Sequence, residues 1–336
     1  MISKRFLFWI LFVVVAVAGC GHRPSARYPD QATQKLAEAV GANSHKVIRD
    51  LIAGADGEHP DDALIGHLLG QDWDDGGKAV AAVVAWIPDA RGDDFSLGGQ
   101  TAHAVATYMA AHHDDLLKDK RLFGDANPQL ARALARAMVP YLASMVQDLG
   151  TSTGFRRLDD DRAARNTRRV LTVLGSDGVA SQILKEGVLK TQESWYEQYA
   201  QGLAASPTRY GPEFGYSATL QGAAAMADCA DHDLRTPNPK AKPDVYDASM
   251  PQFRIFQELS TQPGGLPGQS SEIARFQDLG LIDQEQRVIA PEQVKAIGVN
   301  TDTLDQYLTN YWRNVGLGTV VLDAIKAGKL YDAATV

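Results

Sequence analysis

The side chains best suited to chemistry in this chain are its eight histidines and the aspartates near them. Imidazole nitrogens and carboxylate oxygens together ligate divalent metals, and a metal-bound water is a competent hydrolytic nucleophile at neutral pH. Two His-Asp pairs occur, His113-Asp114 and His232-Asp233, and the densest set is His103, His112, His113 and Asp114. With 31 aspartates among 336 residues, chance alone supplies close to one such pair. On a single helix His103 and His112 lie about 2.5 turns apart and face opposite ways, and His113 is rotated by roughly 80° from His103. His103, His113 and Asp114 are therefore the candidate metal ligands, while the spacing favours a solvated helix end over a metal site. No cofactor is expected.

Other chemistries find less support. The chain has no Gly-x-Ser-x-Gly elbow, no Ser-x-x-Lys, no His-Glu-x-x-His, no phosphate-binding glycine loop and no calcium loop. Cys229 has no recognised catalytic signature around it and reads as a buried small residue. Acidic clusters at Asp72, Asp74 and Asp75, at Asp93 and Asp94, and at Asp159, Asp160 and Asp161 each precede an expected helix. There a carboxylate meets unsatisfied amide donors, so capping accounts for them. In a helical chain the His-Asp pairs are similar to those of metal-dependent phosphohydrolases that carry a His…His-Asp…Asp pattern. That likeness implies one possible function, an envelope metal-dependent hydrolase.

The elements that must position these residues are helices. The 47 alanines favour them, and apolar residues recur at three and four. Val80, Val83, Val84 and Ile87 form one stripe, and Leu130, Leu134, Met138, Tyr141 and Met145 form another. Further helices are expected over Asp30–Val40, His45–Ala53, Asp62–Leu69, Gly99–Leu117, Arg162–Leu174, Gly178–Ala204 and Ser217–Ala230. Asn127-Pro128 reads as a cap followed by proline at the first helical position, and Pro140 as a kink or an end. Trp73 and Trp86 bracket an expected helix over Asp74–Ile87. Trp86 adjoins the apolar stripe and is expected in the core. Trp73 either folds back over the first turn or anchors a partner, which makes it the candidate partner contact.

Four prolines between Arg235 and Pro251 suggest an extended connection. The expected architecture is a mainly α multi-helix ectodomain over 28–234, the connection 235–251, and a smaller helical part over 252–336, with little or no sheet. In the last part Leu304, Tyr307, Leu308, Tyr311, Trp312 and Val315 form an aromatic core face. Arg287-Val288-Ile289 is the best strand candidate. No repeat at 34 or 40 residues is evident, so periodicity gives no support to a solenoid.

The N-terminus reads as an export signal. Lys4 and Arg5 precede a charge-free run from Phe6 to Ala18, and Val17-Ala18-Gly19-Cys20 matches a bacterial lipobox. The run rises only about 20 Å as a helix, short of the ~30 Å hydrocarbon core. Residues 1–19 are then the signal, Cys20 is the lipid attachment site, and 20–29 form the tether, whose eight residues from His22 to Pro29 reach at most ~28 Å. Loss of the signal takes the net charge from −8 to about −10. An acidic body argues against a nucleic-acid partner, and a lipid-anchored place on the extracytoplasmic membrane face is expected.

The run from Gly70 through Gln71-Asp72-Trp73-Asp74-Asp75-Gly76-Gly77 to Ile87, together with Gly124-Asp125-Ala126-Asn127-Pro128, resembles actinobacterial, chiefly mycobacterial, TPR-repeat-region proteins. The likeness covers roughly Leu64 to Tyr199. Some of those proteins belong with WXG-type secretion loci and their secreted effectors. It implies a helical module without an assigned catalytic residue. A lipobox in place of a WXG-like leader departs from the secreted members and points to a membrane-held relative. The leading expectation is a non-catalytic cell-surface interaction protein, such as an accessory or immunity partner of a secreted effector. The hydrolase is the alternative.

Overall fold

The computed structural model describes residues 30–325, apart from 119–121, 148, 160–163, 207–215, 218–219, 221–222, 225–249, 269, 284, 286 and 324. The signal, Cys20, the tether, Cys229, His232 and most of the expected helix Ser217–Ala230 lie outside the described residues, as does the connection 235–251 except Met250 and Pro251. Those two residues already begin a helix.

The fold is mainly α. Among the described residues there is no strand, and the candidate at 287–289 amounts to a single antiparallel bridge between Ile282 and Val288. The chain divides into two units, one comprising residues to Val188 together with Met226–Pro243 and one comprising Leu189–Ala225 and the residues from Asp244 onward. One division falls inside a 28-residue helix, and another, between Pro243 and Asp244, falls within the proline-rich segment. The second half of that helix therefore belongs with the C-terminal helices.

In the first unit, α1 (Asp30–Gly41) and α2 (His45–Ala53) are joined by a turn with Asn43 in the left-handed region, φ 52°. Arg49, nearly buried on α2, donates to the Gly54 and Ala55 carbonyls just past the helix end. α3 (Asp62–Gly70) starts under a side-chain cap, Asp61 accepting from the Leu64 amide at 2.9 Å. A four-residue helix, α4 (Lys78–Ala81), leads to the 19-residue α5 (Asp93–Ala111). α5 is the centre of this unit, with α2 along one flank and α10 (Arg165–Gly175) along another. Its small buried residues, Gly98, Gly99, Ala102, Ala104 and Ala106, allow that close approach. At Gly99 a Cβ would collide with the Thr153 carbonyl, so backbone packs on backbone there.

The expected Asp74–Ile87 helix is cut down to α4, followed by turns and a 3-10 segment at Ile87–Asp89. Gly76 and Gly77 delay its start by taking positive φ, 66° and 80°. Beyond Ala81 the amides of Ala82, Val83 and Val84 bond three residues back, not four. Val80, Val83, Val84 and Ile87 are nonetheless all buried, because both helix types bring residues three apart to one side. The expected Gly99–Leu117 helix likewise ends at Ala111, and α6 (His113–Leu116) is separate.

α7 (Phe123–Ala126) precedes α8 (Pro128–Met138), a 3-10 turn at Val139–Tyr141 and α9 (Leu142–Val146). Pro140 thus interrupts the helix for one turn without disturbing the stripe. Leu130, Leu134, Met138, Tyr141 and Met145 are each at most 2% exposed. α10 is followed by α11 (Gly178–Ala205), which begins in the first unit and continues into the second.

The second unit adds α12 (Met250–Thr261), α13 (Ser270–Asp278), α14 (Pro291–Ala296) and α15 (Thr301–Asn314). Its core is aromatic, with Phe256 in edge contact with Tyr311 and Trp312 and tilted against Phe276. Leu304, Leu308, Tyr311 and Trp312 are buried as the α15 stripe requires, while Tyr307 and Val315 are half-buried at its margin.

Candidate functional site

The two most distinctive stretches of the sequence meet in space. Asn127, 1% exposed, occupies the position before α8, yet it does not cap that helix with its side chain. Its Oδ1 accepts from the Trp73 backbone N–H at 3.1 Å, and its Nδ2 donates to the Gln71 carbonyl at 2.7 Å. The amides at the start of α8 are served instead by the Gly76 carbonyl, which accepts from Gln129 at 2.9 Å and more weakly from Leu130 at 3.4 Å. Asp75 supplies the turn between, accepting from the Gly77, Lys78 and Ala79 amides. The capping expected of Asn127 is therefore corrected: a backbone carbonyl 53 or more residues earlier takes that role, freeing the amide side chain to hold Gln71 and Trp73.

Trp73 is half-buried, with its indole N–H donated to the Leu68 carbonyl at 3.0 Å and its ring edge-on to His67. It folds back over the end of α3. Trp86 is half-buried too and not a core residue as the sequence suggested. Its indole N–H turns to the Val83 carbonyl at 2.9 Å and its face stacks on His45, centroids 4.2 Å apart and planes 7° from parallel. His45 Nδ1 lies 2.8 Å from Asp94 Oδ2 in the first turn of α5, and Nε2 lies 3.2 Å from Asn43 Oδ1. Nothing in the local sequence marks His45, Asp94 and Trp86 as neighbours, since they come from three separate segments.

The candidate metal ligands are dispersed. His103 stands on α5 with its ring edge-on to Phe155 at 5.1 Å, and its Nδ1 is buried without a hydrogen-bond partner. Burial first, and then the charge of Arg156, pull its pKa down to about 4. His113 is on α6, where Nδ1 pairs with the exposed Asp114 at 2.8 Å. That contact holds the Asp114 carboxyl below its ordinary value. Among the described residues no three His, Cys, Asp or Glu side chains are placed to hold a metal ion.

The acidic clusters work largely as helix starts. Asp159, 7% exposed, accepts from the Asn166 and Thr167 amides and the Thr167 hydroxyl at the start of α10. Asp93 and Asp94 lie in the first turn of α5 without a capping bond. One such start was not expected from sequence: Asp177 caps α11 through the Ala180 amide at 2.8 Å and takes a bidentate Arg132 guanidinium at 2.9 and 3.0 Å. Burial would raise the Asp177 pKa, but the Arg132 and Ala180 bonds outweigh it and hold the carboxyl below its ordinary value. An Asp ahead of Gly178 is a visible cap signal. The Arg132 partner, 45 residues away, has no local one.

The second unit has an open cleft of about 550 Å³ whose walls include Glu193 and Glu197 of α11 and Arg254 and Glu258 of α12. Arg254 pairs with Glu193 at 2.9 Å. Burial, then Glu197 and Glu193, push the Glu258 carboxyl up.

Residues 19–86 match a family model described as a TPR repeat domain, a class of helical repeat that commonly mediates protein–protein interaction. No curated protein matches the chain, and no solved structure does. The matched segment contains α1 to α4 and Trp73, and it overlaps the Leu64–Tyr199 resemblance only from Leu64 to Trp86. Among the described residues no helix is long and apolar enough to cross a membrane.

Proposed function

We propose that the chain is a lipid-anchored interaction protein of the bacterial cell envelope, held by Cys20, that binds a protein partner through its N-terminal helices and serves as an accessory or immunity partner of a secreted effector. The observation that carries this reading is the TPR-repeat match over 19–86. The lipobox at 17–20 supports the anchor. The buried polar ties around Asn127 support a rigid presenting surface, because groups so fixed lose little further entropy on binding.

The test uses the full chain in a bacterial host. Mass spectrometry of the mature N-terminus is expected to find a diacylglyceryl-modified Cys20, and Cys20→Ser is expected to abolish acylation and membrane retention. In-cell photocrosslinking from exposed positions of α1, such as Gln34 and Glu38, is expected to capture a defined protein. An unmodified Cys20, or no crosslinked protein from any surface of 30–86, overturns the corresponding half of the proposal.

A further inference from the structure

The segment that follows α9 crosses α5 as a strap over positions 153–158. Its backbone lies directly on the helix: a Cβ at Gly99 would meet the Thr153 carbonyl, and one at Gly154 the Ser96 carbonyl. Gly154 takes positive φ, 68°, to make this approach. Phe155, 1% exposed, is driven inward, its ring stacked on Tyr141 and edge-on to His103. Leu158 then donates its amide to the Met145 carbonyl at 3.2 Å. Residues 154–157 belong to no helix, so the strap can lift without unwinding one.

His103 stands under this strap. Its Nδ1 is buried without a hydrogen-bond partner, and so is Oε1 of Gln100, one turn earlier on α5. Its neighbours on α5 from Gly99 to Thr107 carry no charge. The charge that acts on the ring comes from the strap itself, at Arg156. Glu58, from the turn after α2, meets Arg156 at 3.4 Å, with both side chains more than half exposed. In the same turn His59 and Asp56 pair with each other at 2.6 Å, and Asp159 is occupied by the first amides of α10. A proton on His103 is thus placed against a like charge, in a site that leaves one ring nitrogen without an acceptor. Contact with the Arg156 backbone favours the proton, but burial and the guanidinium outweigh it and leave the pKa at about 4.

We propose that the strap is an acid-operated latch, closed over α5 while His103 is neutral and released at Phe155 when His103 takes up a proton. With the strap open the ring meets water and regains its ordinary value of 6.5, whereas closed it stays neutral down to about 4. The open form binds the proton more readily, so opening grows as the pH falls through 6.5 and levels off below 4. Between pH 7 and 5 the opening constant rises about twentyfold.

Hydrogen exchange of the full chain near pH 7 and near pH 5, read by mass spectrometry and corrected for intrinsic rates, measures the opening. The 155–158 amides are expected to lose about twentyfold of their protection at the lower pH, with little dependence on sub-denaturing guanidinium, the mark of a local opening. Amides of α8 are expected to depend steeply on the denaturant, as global unfolding does. His103→Gln is expected to remove the pH response of the strap. Arg156→Gln is expected to shrink it, whereas Arg156→Lys keeps it. The His103 ring resonances of the unsubstituted chain give a reading independent of any variant's folding, and are expected to remain those of the neutral imidazole down to about pH 5. A ring that titrates near 6.5, strap exchange with the denaturant dependence of α8, or an equal response in His103→Gln overturns the proposal.

Discussion

Replacing Asn127 by alanine tests whether the junction between the 71–77 turn and the start of α8 holds the first unit together. Two hydrogen bonds are lost, from the Trp73 amide and to the Gln71 carbonyl. Both backbone groups are half-buried, so water restores part of what is removed, and each loss falls near 1 to 1.5 kcal/mol. Truncating a residue only 1% exposed adds a small cavity. The total is about 3 kcal/mol, which for a unit of this size lowers the Tm by roughly 6–12 °C. Guanidinium denaturation followed by tryptophan fluorescence measures it, with Trp73 reporting from the junction itself. Asn127→Asp is the sharper control. It keeps the acceptor for Trp73 but places an oxygen against the Gln71 carbonyl, so it is expected to be no more stable than the alanine variant near neutral pH. An Asn127→Ala loss below about 0.5 kcal/mol, the range of ordinary surface changes, refutes the reasoning. So does an aspartate variant as stable as the wild type.

Trp86→Ala is expected to cost about 1–3 kcal/mol, below the range for a fully buried aromatic, because the ring is half-buried against His45; a loss above 4 kcal/mol in equilibrium denaturation contradicts that placement. His103 gives the stability a pH dependence: its folded pKa of about 4 lies below the ordinary 6.5, so the unfolded chain takes up a proton first and stability falls as the pH drops from 6.5 toward 4. The loss approaches about 3 kcal/mol, and denaturation of His103→Gln across that window is expected to lack this slope. Gly99→Ala is expected to destabilise by more than 2 kcal/mol despite alanine's better helix propensity, since the new methyl meets the Thr153 carbonyl; thermal melting that shows a gain refutes the contact.

The periodic features of this chain were legible because they depend on residues three and four apart. The Leu130 to Met145 stripe and the Leu304 to Trp312 face needed only that arithmetic. Pro140 was legible for a similar reason, since the missing N–H acts locally. The Asp74–Ile87 helix misled because stripe spacing alone does not separate an α-helix from successive 3-10 turns. The candidate site was hidden more deeply. Asn127 looked like a cap from its neighbours in sequence, but its partners Gln71 and Trp73 lie more than 50 residues away. His45, Asp94 and Trp86 meet through the packing of α2 on α5, and no local pattern encodes that. Trp73 was read as folding over the first turn of the following helix or anchoring a partner; its indole instead lies back on the end of the preceding α3, a placement that only Leu68 and His67 in space reveal.

The TPR match stops at Trp86, yet the helices it covers are not stabilised as repeats. In an array each helix pair buries its free face on the next pair of the same kind. Here α2 lies along α5, which belongs to no matched repeat, and the turn after α3 is tied to α8 through the Gly76 carbonyl and Asn127. The partners that replace a neighbouring repeat are thus a long small-residue helix and a polar junction. An array can lose or gain a repeat and keep its remaining contacts, but this arrangement cannot, because Gly76 is tied to Gln129 and Leu130, and Asn127 to Gln71 and Trp73, pairings that a neighbouring repeat does not reproduce. The matched helices consequently depend on residues to Met138 for their apolar and polar closure. If the proposed partner docks on α1 and α2, Asn127→Ala is expected to weaken its capture in crosslinking although Asn127 lies outside those helices, and unchanged capture by a destabilised variant refutes that coupling.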